Sequence, residues 1–155
     1  MNNRIYRQKP MAPDEVLGRV EPNGQVYESR VGPDKYVGRV ELDTGKIFEA
    51  RLGPDKDVGH VDLASGKLYR HKPLAADEYL GRVDGDGKFH KHKPLAPDEY
   101  VGKIETMLGF ALAGAGFMLL VLAVLDEEAA EEKKKDEEGK ESGASKQVAS
   151  KQVDK

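Results

Sequence analysis

Cysteine is absent from the 155 residues, which excludes disulfides, thiolate nucleophiles and Cys-ligated metals. No GxGxxG, P-loop, HExxH or GxSxG pattern occurs, so none of the common nucleotide, zinc-protease or serine-hydrolase signatures applies. An excess of positive charge is lacking too: 25 Lys+Arg stand against 28 Asp+Glu. Residues 1–105 carry 18 of each sign and residues 126–155 carry 7 against 10, which accounts for the whole net charge of −3. No basic face of the size a nucleic-acid footprint needs is implied. Residues 1–10, MNNRIYRQKP, have no apolar core of the kind a secretory signal carries.

What the chain does have is a repeat. Gly24, Gly45, Gly66 and Gly87 stand 21 residues apart, and Val26, Ile47, Leu68 and Phe89 keep the same period, with Ile5 one period earlier. The next position in each copy reads Tyr6, Tyr27, Phe48, Tyr69 and His90. A fixed period near 20 residues signals a repeat architecture. Each unit holds two short stretches that alternate apolar and charged residues, such as KIFEAR followed by YVGRVE, and both patterns predict half-buried strands.

The links from the second strand of one unit to the first of the next carry Asn23-Gly24 and Asp86-Gly87, dipeptides that favour tight hairpin turns. The links within a unit are longer and carry Pro followed by Asp, which predicts ordered turns rather than flexible linkers. Counted this way there are five two-stranded units, starting at Arg4, Gln25, Lys46, Lys67 and Lys88. The first and last strands could pair and close the sheet, removing two edges; the other outcome is an open meander or solenoid. Gly18, Gly38, Gly59, Gly81 and Gly102 recur inside the second strand of each unit, and a strand-interior glycine predicts a bulge, a bend or close backbone approach.

Residues 107–125, MLGFALAGAGFMLLVLAVL, run 19 residues without a charge. As a helix they would extend about 28 Å, close to the thickness of a bilayer core. With no other core in sight to bury it, this segment predicts a single transmembrane helix. Gly109 with Ala113, and Ala111 with Ala115, have the small-xxx-small spacing that lets two helices approach, which makes them candidates for homo-oligomer packing. The tail from Asp126 is charged and nearly free of large apolar residues; its first part suits a helical extension and the rest a disordered segment. The expected organisation is thus an all-β repeat domain over 1–105, a transmembrane helix over 106–125 and a charged tail over 126–155. Lysines are equally numerous on both flanks of the span, and the lack of a signal segment places the repeat domain in the cytoplasm.

Three sets of residues are candidates for chemistry. His90 and His92 alternate on one strand and share a face, a spacing that suits a metal, although no third ligand can be assigned. Asp14, Asp34, Asp55, Asp77 and Asp98 recur in the turns, where their expected role is turn formation. Lys88, Lys91, Lys93 and Lys103 precede the apolar run and would meet anionic headgroups if the last repeat lay on a bilayer. No catalytic residue, cofactor or metal is assigned. The expected function is a non-enzymatic, membrane-anchored β-repeat scaffold that binds a protein partner beside the lipid bilayer. The alternatives are a module binding a glycan, metal or headgroup, and an accessory single-span subunit of a larger complex.

Overall fold

In the computed structural model the described residues are 3–136; the part of the expected disordered tail beyond 136 lies outside them. Ten strands follow the repeat: β1 (Asn3–Arg7), β2 (Glu15–Val20), β3 (Gln25–Glu28), β4 (Lys35–Val40), β5 (Lys46–Glu49), β6 (Lys56–Val61), β7 (Lys67–Arg70), β8 (Glu78–Val83), β9 (Lys88–Lys91) and β10 (Glu99–Ile104). All pair antiparallel with their sequence neighbours, and β1 pairs with β10 through Ile5 and Ile104, Tyr6 and Lys103, and Arg7 and Gly102. The sheet is a closed barrel, so no strand edge is left exposed. Asn3 locks the closure: its side chain donates to the Thr106 carbonyl and accepts from the Thr106 N–H, both at 2.8 Å.

Every unit contains one bulge between its two strands, for example between Val26 and Tyr27 opposite Tyr36 and Gly38. The recurrent glycines sit at these bulges. A Cβ on Gly18 would fall on the Tyr27 carbonyl oxygen, and one on Gly59 would fall on that of Tyr69. Close backbone approach therefore requires glycine here, and the added twist helps to curl a short-stranded sheet into a barrel.

The interior follows from the same repeat. Each strand contributes one large inward side chain, all of them buried: Ile5, Val20, Val26, Val40, Ile47, Val61, Leu68, Val83, Phe89 and Ile104. An eight-stranded barrel can be filled by its own side chains, and ten strands leave a wider lumen. The apolar run fills it. A helix spans Phe110–Asp136 and is long and apolar enough to cross a membrane by length and composition, yet each residue from Ala111 to Leu122 is buried. It begins as α1 (Phe110–Gly116) and widens into a π-helical stretch (Phe117–Leu122). The sequence offered no core to receive this helix; the closed barrel is that core.

Wall and helix fit by alternating size. The Ala- and Gly-rich half of the helix, Ala111 to Gly116 with Leu112 its one large residue, lies beside the large wall residues: a Cβ on Gly114 would come within 2.6 Å of Val61, and one on Gly116 would strike Ile5. The large half lies beside the glycine ring, where Leu120 approaches Gly18, Leu119 approaches Gly38 and Met118 approaches Gly59. The Phe117 ring stacks on Phe89 at 4.9 Å, nearly parallel. Going from Gly114 to Val121, the helix passes from the ends of the second strands towards their glycines. It therefore runs from the short-turn end of the barrel towards the long-loop end. Residues 123–136 form a separate unit, helical and mostly exposed.

Candidate functional site

The outer wall repeats one contact at each boundary between units. A basic side chain on the second strand of one unit meets the turn aspartate of the next: Arg19 and Asp34 at 3.2 Å, Arg39 and Asp55 at 3.3 Å, His60 and Asp77 at 3.4 Å, and Arg82 and Asp98. The ring closes with Lys103 and Asp14 at 3.7 Å. The same side chains cover the aromatic row, with Arg19 over Tyr27 and Arg39 over Phe48 at 4.2 Å each, His60 stacked on Tyr69 at 5.0 Å, and Lys103 near Tyr6 at 5.5 Å. The five aspartates thus staple neighbouring units together, which gives their recurrence a structural reason. Such part-exposed pairs are each worth about 0–1 kcal/mol, and they set register more than stability.

The histidine pair does not converge on one point. His90 reaches Asp84 at 2.9 Å, whereas His92 reaches Asp98 at 3.5 Å and lies against the Tyr79 ring. Among the described residues no group of three or more His, Cys, Asp or Glu is arranged to hold a metal ion. His90 also faces Arg82 in register, in the place that Tyr or Phe takes in the other units.

The four lysines divide between the two ends of the barrel. Lys88 and Lys103 are register partners near the short turns, and Lys93 lies in a long loop beside Glu99. Lys91 ends β9, opposite Glu99. Of the small residues, Ala111, Ala113 and Ala115 are buried within the barrel and Gly109 precedes the helix.

A feature the sequence reading passed over stands out at the long-loop end. Each unit presents one large apolar residue at its loop tip: Met11, Val31, Leu52, Leu74 and Leu95, at 105–107% of reference exposure. Three of them, Met11, Leu74 and Leu95, follow Pro and adopt φ of 59–62°. Proline opens such turns, and the next position then calls for glycine when φ is positive. A bulky side chain in the left-handed region costs roughly 1–2 kcal/mol. In the two shorter loops glycine takes the strained position instead, Gly32 at 92° and Gly53 at 93°, and the apolar residue precedes it. Backbone strain combined with full exposure has no folding benefit, and an outlier of this kind points to function. The signal available in the sequence was an apolar residue at each tip, where turn chemistry favours polar ones.

A charged collar lies just behind the tips. Lys9 pairs with Glu15 at 3.3 Å, Arg30 with Glu28 at 3.9 Å, Arg51 with Glu49 at 3.1 Å, Lys72 with Glu78 at 3.5 Å, and Lys93 with Glu99. Between each cation and the following aspartate the tip is uncharged: PMAP, VGP, LGP, PLAA and PLAP. The opposite end is different. There Leu42, Leu63 and Leu108 are only part-exposed and line an open cleft of about 410 Å³ with Pro22, Phe110 and Leu112, where the helix enters the barrel.

Comparison with protein-family models, with curated proteins and with solved structures gives no match.

Proposed function

We propose that the protein is a non-enzymatic interaction module that works at a membrane surface, with the loop rim of the barrel as its contact face. The observation that carries this reading is the set of five fully exposed apolar tips on a rigid closed barrel. Loops held by a stiff scaffold are where binding residues concentrate, and the fivefold repetition makes the rim a surface rather than a point. Photo-crosslinking residues at Leu52 and Leu74, compared with one at Asp43 among the short turns, test it in native membranes. Adducts are expected from the two loop positions alone; equal labelling from Asp43 would overturn the reading.

A second reading keeps the helix as a single-pass anchor with the barrel on the cytoplasmic face, and the 27-residue length of the helix favours it. It requires Ala111–Leu122 to leave the lumen, which would open a cavity lined by ten large side chains. Phe117 stacks on Phe89 in the lumen, so cysteines replacing these two rings would be bridged by a short bifunctional thiol reagent only while the helix is housed. Rapid bridging in the membrane-bound protein would exclude the anchor.

A further inference from the structure

We infer that the occupant of the loop rim is the lipid bilayer itself, entered to the depth of one side chain by Met11, Val31, Leu52, Leu74 and Leu95. This rests on the reading of the rim as a contact face and names its partner. Three observations favour lipid over protein.

The first is order along each loop. The uncharged tip is outermost, and the cation of the collar lies directly behind it: Lys9, Arg30, Arg51, Lys72 and Lys93. Hydrocarbon outermost and charge behind is the layering of a bilayer interface met from outside. The pairs holding these cations are part-exposed, so a lipid phosphate can take the place of the carboxylate at little cost.

The second is tolerance. The tips carry Met, Val and Leu in units that are otherwise close copies, and all five are fully exposed. A fluid hydrocarbon accepts any of these shapes, whereas a pocket on a protein partner is cut to one. The third is form. The tips stand singly around one end of a closed barrel, each fully exposed and so with little contact to its neighbours. Loops repeated around a closed ring present their tips at the same end, which suits an extended, flat partner.

The collar also sets the lipid preference. Its five cations, Lys9, Arg30, Arg51, Lys72 and Lys93, are matched by five carboxylates, Glu15, Glu28, Glu49, Glu78 and Glu99. Net attraction to anionic lipid is therefore small, and entry is driven by the apolar tips. Binding should depend weakly on salt.

The test is flotation of the full chain with phosphatidylcholine vesicles and with vesicles containing phosphatidylserine. The wild-type protein should float with both, within about threefold of each other, since the balanced collar leaves little long-range attraction. Changing all five tips to Ser should abolish flotation, and single changes should weaken it by about tenfold or less each. Because the chain has no cysteine, a solvatochromic dye on Leu95→Cys reports entry directly: its emission should shift to the blue on vesicles, while dye on Asp43→Cys should not respond. Melting curves should show the five-Ser variant folded.

Failure of the wild type to float, or equal flotation of the five-Ser variant, would overturn lipid as the partner; the second result is what a spanning helix would give. Tip-dependent self-association in the absence of lipid would overturn it in favour of a second copy. If flotation fails while crosslinking from Leu52 and Leu74 still captures a protein, lipid is refuted and the contact-face reading stands. If neither depends on the tips, both fall.

Discussion

The two rims of the barrel treat apolar residues in opposite ways. At the short-turn rim Leu42, Leu63 and Leu108 are part-covered beside Phe110 and Leu112, where they help to close the entrance to the lumen. At the long-loop rim Met11, Val31, Leu52, Leu74 and Leu95 touch little, and three of these positions bear backbone strain. Apart from Leu108, both sets come from the repeat. The difference teaches that the apolar residues of one rim are part-packed into the fold while those of the other are not.

The largest effect is expected between the rims, at the glycine ring on which both depend. Gly59→Val would drive a side chain into the Tyr69 carbonyl and the Met118 side chain, and backbone cannot yield as a side-chain tip can. A loss of at least about 3 kcal/mol is expected in denaturant unfolding; a well-folded variant of unchanged stability would show that the lumen is not packed as described. Next comes the short-turn rim. Leu63→Asp should destabilise by about 1–2 kcal/mol, since part of its burial is lost and a charge is set beside the cleft.

The loop rim should respond with the opposite sign. Leu74→Gly places at φ 62° the residue that region prefers, so stability should rise by about 0.5–1 kcal/mol while vesicle binding falls. A rise in stability with no loss of binding would erase the contrast between the rims.

The smallest effect concerns the wall behind the loop rim. Burial, together with the nearby carboxylates Asp55 for Tyr36, Asp98 for Tyr79 and Asp14 for Tyr100, raises the pKa of each phenol above its ordinary value. A pKa higher in the folded state means that the stabilisation is complete below the unfolded value of about 10. It is then lost as the pH rises through the folded values. Melting temperatures should fall above about pH 10, and Tyr36→Phe, Tyr79→Phe and Tyr100→Phe together should flatten that fall.

Much of the wall was legible from residues alone. The unit starts at Gln25, Lys46, Lys67 and Lys88 are the first residues of β3, β5, β7 and β9, because alternation and Gly-containing turns are local signals. The bulges were legible in Gly18, Gly38, Gly59, Gly81 and Gly102 for the same reason. The ion pairs between Asp34 and Arg19 or Asp14 and Lys103 were not, since the first pair meets only when neighbouring units have paired and the second, 89 residues apart, only after the sheet has closed. The tips were overlooked because a single apolar residue in a loop is ordinary; five at one rim, three of them strained, become visible only when the loops share an end.

By itself the sequence determined the repeat, the two-stranded unit, the turn chemistry and an apolar helix of about 19 residues. Only the tertiary structure shows a lumen that houses that helix. Hydrocarbon and a barrel lumen are equally dry, so hydropathy cannot tell them apart. What distinguishes them is shape: Gly114 and Gly116 against the large wall side chains Val61 and Ile5, and Met118 to Val121 against the glycine ring. That match exists only once ten strands have closed around it.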